Sequence, residues 1–168
     1  ARGIDGQLAH YDIPRNEHAG GILRISTVPA GLPPAIAAKA RDMASGIAEA
    51  LDYVGVLAVE MFYLGENALE PLIVNEIAPR PHNSGHYTID ACVTSQFEQQ
   101  ARVLAALPMG DTRQHTPAVM VNLLGDLWFT DAAATLPREP DWATVLQHPQ
   151  AKLHLYGKVE PRRGRKMG

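Results

Sequence analysis

The sequence predicts a mixed α/β (α+β) fold whose strands pair largely antiparallel, with helices flanking the sheet. Two nearly continuous apolar runs, residues 54–64 and 71–78, are separated by a turn at 65–67, as in a pair of adjacent strands. Two other segments carry apolar residues three or four positions apart, which is the period of an amphipathic helix. The chain has 168 residues, 46% of them hydrophobic and 20% charged, which is enough for a globular core.

Composition argues against several classes of protein. The net charge is −3 with both signs interspersed, so we expect neither a nucleic-acid nor a membrane partner. No apolar run approaches the roughly 20 residues of a membrane helix, and no signal-peptide pattern is present. The single cysteine, Cys92, cannot form an internal disulfide, which favours a reducing compartment, and we expect a cytoplasmic protein.

The first third of the chain is predicted to contain a hairpin, a loop and a long helix. Residues 1–13 have the pattern of a hairpin with Asp5-Gly6 at its turn. Residues 14–33 are rich in Gly and Pro and are predicted to form a loop with a short strand at 22–28. A helix should run from Pro34 to about Asp52, because Pro is tolerated in a first turn. Its apolar face is predicted to comprise Ile36, Ala40, Met43, Ile47 and Leu51.

The remaining elements follow from apolar runs and capping signals. The two central runs are predicted to be strands buried on both faces, because neither shows polar alternation. Ser95 and Glu98 form a capping-box pattern that begins a second helix, which ends before Pro108. We also predict a strand at 118–124, a short helix at 142–147 and a strand at 152–156. The predicted apolar face of the second helix comprises Phe97, Ala101 and Leu104.

A carboxylate interrupts each of the two central apolar runs. If the connecting turn is centred at Asn67 or Ala68, Glu60 lies opposite Asn75 or Glu76, about 5 Å away. Two like charges at that distance in an apolar setting repel each other, and a divalent cation such as magnesium relieves the repulsion. The alternative is an ordinary pair of partly exposed glutamates, one of them paired with an arginine such as Arg80.

The residues after Glu76 are polar and conformationally restricted. Arg80 lies between two prolines and carries a forked donor suited to phosphate or carboxylate. The turn at residues 83–85 could present backbone amides to an anion. His82 and His86 titrate near neutrality and could donate to an oxyanion, although each taken alone is more simply a structural donor.

The end of the chain is strongly basic. Five positive charges fall within nine residues, a density suited to a phosphate monoester. A solvated basic tail is an equally good interpretation of composition alone. The five residues are Lys158, Arg162, Arg163, Arg165 and Lys166.

Together these motifs resemble a known family. The segment V-N-E-I-A-P-R-P-H-N-S-G-H, with L-A-V-E-M-F upstream, is similar to the ATP-grasp fold and, within it, to the 5-(carboxyamino)imidazole ribonucleotide synthetase family. Further segments resemble that family in the same order, so the similarity extends over essentially all 168 residues. They are N-E-H-A-G-G-I-L-R-I-S-T-V-P-A, S-Q-F-E-Q-Q-A-R-V-L-A-A-L-P, V-N-L-L-G-D and Y-G-K-V-E-P-R-R-G-R-K-M-G.

The resemblance also implies a domain organisation. Residues 1–108 correspond to the C-terminal part of an ATP-grasp domain, and residues 109–168 to a small C-terminal β-rich region, both incomplete relative to the family. The chain opens without Met and stops within a basic segment, so we expect it to be a piece of a longer polypeptide.

The resemblance implies how the metal and bicarbonate are held. Glu60 and Glu76 match the residues that hold magnesium, or manganese in its place, on the phosphates of ATP. Asn75 matches the neighbouring amide, so it and Glu76 are expected to contact the nucleotide as well. Arg80 and His82 match catalytic residues that line the pocket where bicarbonate is activated.

The resemblance also implies how the second substrate, aminoimidazole ribonucleotide, is bound. Asn83 and Ser84 match a loop that contacts this substrate, and Lys158 and Arg165 match the residues that hold its 5′-phosphate. The basic residues that we expect to converge on one cleft are Arg80, His82, Lys158 and Arg165.

The implied activity is that of an ATP-dependent ligase of de novo purine biosynthesis that forms a C–N bond. Bicarbonate takes the γ-phosphoryl group of ATP to give carboxyphosphate, which delivers CO2 to the amine of aminoimidazole ribonucleotide. The resemblance implies that the full-length protein is a homodimer. We expect this chain to be inactive alone, because the family's N-terminal domain and ATP lid have no counterpart here. The alternatives are another ATP-grasp ligase, or a non-catalytic ligand-binding or dimerisation module.

Overall fold

The computed structural model describes residues 1–131 and 133–168, which form two compact units. The first unit comprises Ala1–Asn16 and Ser26–Met120, and the second comprises Glu17–Ile25 and Val121–Gly168. The predicted mixed α/β class is confirmed. In chain order the strands are β1 (Arg15–Ala19), β2 (Ile22–Val28), β3 (Ala58–Tyr63), β4 (Leu72–Ala78) and β5 (Ala118–Val121). The helices are α1 (Pro34–Ala50), α2 (Thr88–Ala91), α3 (Gln96–Leu104) and α4 (Trp142–Leu146), with 3₁₀ turns at Asn83–Gly85 and Gly125–Trp128.

Helix α1 forms where the apolar period predicts it. Pro34 occupies the first turn, where its missing N–H has no helical partner to lose. Ile36 and Ala40 are buried and pack with Leu72 of β4 in one core cluster of the first unit. Leu51 lies just beyond the end of the helix and is 60% exposed, so its predicted place on the buried face is wrong.

Strands β3 and β4 pair antiparallel as predicted, in a sheet of two strands. One face carries Leu72 and packs against the core cluster that includes α1. The other face carries Phe62 and Ile73, which are 56% and 46% exposed. The prediction that both faces are buried is therefore wrong, because an apolar run does not show whether a second layer covers the sheet.

Strands β1, β2 and β5 form a second sheet in the order β1-β2-β5. The prediction of β2 at residues 22–28 is confirmed, but β1 was predicted as loop. Its sequence, RNEHA, contains no β-branched or aromatic residue, so intrinsic propensity gives no strand signal there. Gly20 and Gly21 both have positive φ, as a two-residue hairpin connection requires.

Helix α3 begins as predicted but buries a different face. Ser95 caps it by accepting a hydrogen bond from the Glu98 N–H at 3.1 Å. The buried residues of the helix are Gln96, Gln99 and Val103, whereas the predicted face of Phe97, Ala101 and Leu104 is exposed. The prediction followed side-chain hydrophobicity, and two buried glutamines whose amides bind backbone groups run against that rule.

The other predicted elements are partly confirmed. The turn at Asp5-Gly6 forms, with an isolated bridge between Arg2 and Leu8 on either side. Helix α4 agrees with the prediction, β5 ends three residues early, and residues 152–156 form no strand. Region 109–168 thus contributes one strand, β5, among its described residues. None of the helices described has both the length and the hydrophobicity of a membrane span.

A second core cluster of the first unit contains the single cysteine. Val28, Tyr87, Ala91 and Cys92 pack together and are each at most 6% exposed. Burial raises the pKa of the Cys92 thiol to about 11, with a smaller contribution from Asp12. The thiol is therefore protonated at neutral pH and acts as a small apolar side chain.

Substitution of two glycines by alanine should change stability in opposite directions. Gly46 lies in α1, and a Cβ built there meets no heavy atom within 4 Å. We expect Gly46→Ala to raise the free energy of unfolding by about 0.5–1 kcal/mol, because alanine loses less backbone entropy in a helix. Gly21→Ala, at φ +73, should lower it by about 1 kcal/mol. Urea unfolding of both variants measures this, and equal shifts in one direction would contradict the helical and turn assignments.

Candidate functional site

Glu60 and Glu76 lie directly opposite each other in the β3–β4 ladder. Directly opposed residues of an antiparallel pair point to the same face with their Cβ atoms about 5 Å apart. The prediction that these carboxylates are neighbours on one face of adjacent strands is therefore confirmed. Because the strands fix both backbones, the two charges are held together by the sheet and not by attraction between the side chains.

A β-bulge lies immediately beside the carboxylate pair. Glu60 pairs with Glu76, whereas the next residue, Met61, pairs with Val74. Asn75 is thereby left without a partner in the ladder. The sequence allows two registers for this hairpin, and both occur: one pairs Glu60 with Glu76, and the other, on the far side of the bulge, pairs Met61 with Val74. Bulges of this kind bend the strand and redirect side chains near functional sites.

His82 completes a cluster with the two glutamates. Its Nε2 atom lies 3.7 Å from Oε1 of Glu60, and the two side chains are 12% and 17% exposed. One potential ligand atom from each of Glu60, Glu76 and His82 lies within 4.8 Å of the others. Arg80, the alternative partner for a glutamate, is exposed and donates from Nη1 to the carbonyl of Pro81 at 3.1 Å.

The imidazole of His82 is oriented by Ser84. The Ser84 backbone N–H donates to Nδ1 at 3.4 Å, and the Ser84 hydroxyl lies 2.9 Å from the same atom. Because Nδ1 accepts a hydrogen bond, the proton of the neutral ring is on Nε2, the atom that faces Glu60. His82 is thus a donor toward the carboxylates, and the oxygen atoms of Glu60 and Glu76 are the groups suited to a hard divalent cation.

Gln96 is the site residue that sequence reasoning missed. Its side chain is buried and contacts the loop after β4, residues 82–86, which we call the histidine loop. It binds three groups there: the His82 N–H, the His82 carbonyl and Nδ1 of His86. The three-residue spacing of Gln96 and Gln99 in α3 was a signal that could have found it. Apolar residues on either side of the two glutamines give a stronger signal, and it predicts that Phe97 faces the core.

The basic segment of the second unit is bound to its own backbone. Lys158 Nζ donates to the carbonyl of Lys166 at 2.5 Å, and Arg165 Nη1 donates to the carbonyl of Glu160 at 2.7 Å. Lys158 also lines a cavity of about 450 Å³. These contacts give the backbone of the segment a defined conformation, while the side chains of Lys158, Arg162 and Arg163 are exposed.

Gly125 and Asp126 anchor this basic segment. The Gly125 N–H donates to the carbonyl of Arg165 at 2.8 Å, and a Cβ on Gly125 would lie 2.2 Å from the carbonyl oxygen of Arg162. The Gly164 N–H donates to Oδ2 of Asp126 at 2.7 Å. This hydrogen bond is the main reason that the pKa of Asp126 is lowered from its ordinary value. The L-L-G-D motif thus holds the segment that carries the positive charges.

The predicted site residues are therefore divided between the two units. The first unit brings together Glu60, Glu76 and His82, with Asn75 in the bulge and Asn83 and Ser84 in the 3₁₀ turn. Lys158 and Arg165 belong to the second unit. Their convergence on one cleft with Arg80 and His82 stays a prediction.

Comparison with known proteins identifies two regions of the chain. A family model described as an ATP-grasp domain matches residues 1–97. The chain belongs to the ATP-grasp family. A second model, the phosphoribosylaminoimidazole carboxylase C-terminal domain, matches residues 118–168.

Relatives of this ATP-grasp chain carry the name that the sequence resemblance suggested. The N5-carboxyaminoimidazole ribonucleotide synthases of Brucella melitensis and Bacillus subtilis are 46% and 45% identical to it. These alignments cover 100% and 99% of this chain but 42% and 40% of the relatives. The resemblance is thus confirmed, and the chain spans about two fifths of the length of the curated relatives that it matches.

Solved structures give the same result. The N5-carboxyaminoimidazole ribonucleotide synthetase of Thermus thermophilus is 46% identical, with a TM-score of 0.86 over 99% of this chain and 42% of its own. The Aspergillus clavatus enzyme, solved with ADP and 5-aminoimidazole ribonucleotide, is 34% identical, with a TM-score of 0.79 over 94% of this chain and 40% of its own.

The stability contributed by Asp126 should depend on pH. Because its folded pKa lies below the ordinary 3.8, the contribution is fully present above that value and is lost as the pH falls through the folded pKa. We expect Asp126→Asn to be less stable than the native chain at pH 7, and the difference in stability to shrink as the pH falls toward 2. Urea unfolding followed by tryptophan fluorescence checks this. A difference that persists undiminished at pH 2 would mean that the substitution acts through packing and not through charge.

Proposed function

We propose that this chain is the metal- and substrate-binding part of an enzyme that carboxylates 5-aminoimidazole ribonucleotide with bicarbonate and ATP. The reaction passes through carboxyphosphate and gives 5-(carboxyamino)imidazole ribonucleotide, a step of de novo purine biosynthesis. The observation that carries the proposal is the Glu60–Glu76–His82 cluster beside the bulge of the β3–β4 ladder. The names of the relatives support the same assignment.

In this proposal the sheet residues hold the nucleotide phosphates. Glu60 and Glu76 bind magnesium, or manganese in its place, because two opposed carboxylates supply hard oxygen ligands of the required charge. Bound there, the cation would neutralise charge on the phosphoryl group in transfer. Asn75, released from the ladder by the bulge, is placed next to Glu76 to donate to a phosphate oxygen.

The loop after β4 binds bicarbonate. His82 presents its Nε2–H toward the carboxylate pair, where it can donate to an oxygen of bicarbonate or carboxyphosphate. Arg80 is exposed, and its forked guanidinium suits the same anion. Asn83 and Ser84, in the 3₁₀ turn, contact the ribonucleotide.

Lys158 and Arg165 hold the 5′-phosphate of the ribonucleotide. Their support is the concentration of positive charge in a segment that Gly125 and Asp126 fix to the second unit. A fixed cationic segment loses less conformational entropy on binding a phosphate than a free tail does.

The remaining predictions become part of the same proposal. Residues 1–108 form the ATP-grasp part and residues 109–168 the C-terminal region of a cytoplasmic, homodimeric enzyme. Its partners are small molecules, with neither nucleic acid nor membrane among them. Another ATP-grasp ligase is the second candidate. The match to the ATP-grasp domain over residues 1–97 does not specify which amine the enzyme carboxylates or ligates.

Turnover should require the longer polypeptide. The isolated 168 residues should show no ATP hydrolysis that depends on aminoimidazole ribonucleotide, because ATP-grasp enzymes hold the nucleotide between two lobes. The parent protein should release ADP only with that ribonucleotide present, and labelled bicarbonate should enter the product. The control replaces the substrates with glycinamide ribonucleotide and formate. A parent protein that prefers this second pair would be a different ATP-grasp ligase.

Glu76→Gln should separate catalysis from folding. In the parent protein we expect kcat to fall about 10²-fold or more, because one metal ligand and its charge are lost. The free energy of unfolding should change by no more than about 0.5 kcal/mol, since the substitution also removes a like-charge contact. The matched control is Glu66→Gln, an exposed carboxylate in the β3–β4 turn, which should retain activity. Equal losses in both variants would remove the support for a metal site.

A further inference from the structure

We propose that Gln96 is the positioning residue of the histidine loop, residues 82–86. Its side-chain amide fixes the backbone N–H and carbonyl of His82 and the tautomer of His86 at the same time. The carbonyl of His82 and Nδ1 of His86 are the two acceptors, and the N–H of His82 is the donor. The catalytic consequence of this role rests on the proposed function, whereas the tautomer does not.

The orientation of the Gln96 amide follows from its backbone partners. The His82 backbone N–H can only donate, so the Gln96 atom 2.8 Å from it is the oxygen. The His82 carbonyl can only accept, so the Gln96 atom 2.7 Å from it is the nitrogen. A flipped amide would place two donors together and two acceptors together. The backbone therefore resolves the oxygen–nitrogen ambiguity that side-chain amides usually carry.

The tautomer of His86 follows from this orientation. Gln96 Nε2 has two hydrogens, and it lies 2.7 Å from the His82 carbonyl and 2.9 Å from Nδ1 of His86. One hydrogen is directed to each acceptor, so Nδ1 carries a lone pair and the proton of the neutral ring is on Nε2. The ring of Phe97 lies 5.2 Å from the His86 ring, centroid to centroid, and limits its rotation.

Burial makes this contact difficult to replace. Gln96 is 3% exposed, and a Cβ on Gly85 would lie 2.6 Å from Oε1 of Gln96. The backbone N–H of Gln96 donates to the Thr88 hydroxyl at 2.9 Å, and that hydroxyl donates to the carbonyl of Gly85 at 2.6 Å. Side chain and backbone of Gln96 therefore hold the loop at both of its ends. Loss of the side chain would remove these hydrogen bonds from a buried site.

The position of His82 depends on this attachment. Gln96 binds both the backbone N–H and the backbone carbonyl of His82, while Ser84 orients the imidazole. Together they direct Nε2 of His82 toward Glu60 at 3.7 Å. Gln96 itself contacts loop atoms and acts on the carboxylate cluster through His82.

The test is long-range ¹H–¹⁵N NMR of the histidine rings in the 168-residue chain. At pH about 8.5, above the ordinary histidine pKa of about 6.5, native His86 should be the Nε2–H tautomer. In Gln96→Glu the carboxylate has no hydrogen to donate, so His86 should acquire a proton on Nδ1. An Nδ1–H tautomer in the native chain would overturn the proposal, and so would an unchanged tautomer in the variant. The native measurement needs no substitution, so it decides the matter even if the variant fails to fold.

Gln99 provides a matched control on the same helix. It is fully buried and binds both backbone polar groups of one residue in the same way: Oε1 accepts from the Gly110 N–H at 2.8 Å, and Nε2 donates to the Gly110 carbonyl at 3.2 Å. Gln99→Glu should destabilise the chain comparably and leave the His86 tautomer unchanged. A tautomer change of equal size in both variants would show a general loosening of α3 and contradict a specific role for Gln96.

Kinetics of the parent protein test the catalytic consequence. We expect Gln96→Glu to lower kcat at least tenfold with the KM for ATP changed less than twofold, because His82 is displaced while the glutamates remain. Gln99→Glu should retain kcat. If the tautomer changes as expected but kcat does not, His82 placement is irrelevant to turnover and the catalytic part of the proposal fails. If the parent protein lacks the proposed activity altogether, the NMR result still decides the positioning role.

Discussion

The central constraint on this structure is a pair of like charges held opposite each other on neighbouring strands. Glu60 and Glu76 are brought together by the β3–β4 ladder, whose backbone hydrogen bonds are indifferent to side-chain charge. Such a pair is tolerated where water or other polar groups reach it. The exposure of Glu76, the bulge at Asn75 and the position of His82 are all compatible with this requirement.

Helix α3 fixes the loops on either side of it by one repeated device. A carboxamide has one donor side and one acceptor side, so it can bind both polar groups of a peptide-lined turn. Gln96 does this with His82 and Gln99 does it with Gly110, and both side chains are buried. The helix therefore uses its buried face to order polar backbone, where an ordinary amphipathic helix would pack apolar side chains. The contacts of Gln96 thereby hold the histidine loop in one conformation.

The second unit organises positive charge in a comparable way. Lys158 and Arg165 donate to backbone carbonyls of their own segment, and Asp126 accepts from the Gly164 N–H. Gly125 permits the close approach of the Arg162 backbone because it has no Cβ. Backbone groups thus set the conformation of a segment whose like charges would otherwise extend it.

The sequence by itself determined the helix α1, the β3–β4 hairpin, the Ser95 cap and the proximity of Glu60 to residues 75–76, because period, turn and capping signals are local. The β-bulge decided which of these two residues faces Glu60. It failed where long-range contacts decide. Strand β1 forms without intrinsic propensity, since pairing with β2 supplies what its side chains lack. The buried face of α3 depends on loop groups up to fourteen residues away in sequence, to which Gln96 is complementary. Only tertiary structure could show this, because a glutamine is buried when specific backbone partners satisfy it, and those partners are set by the fold.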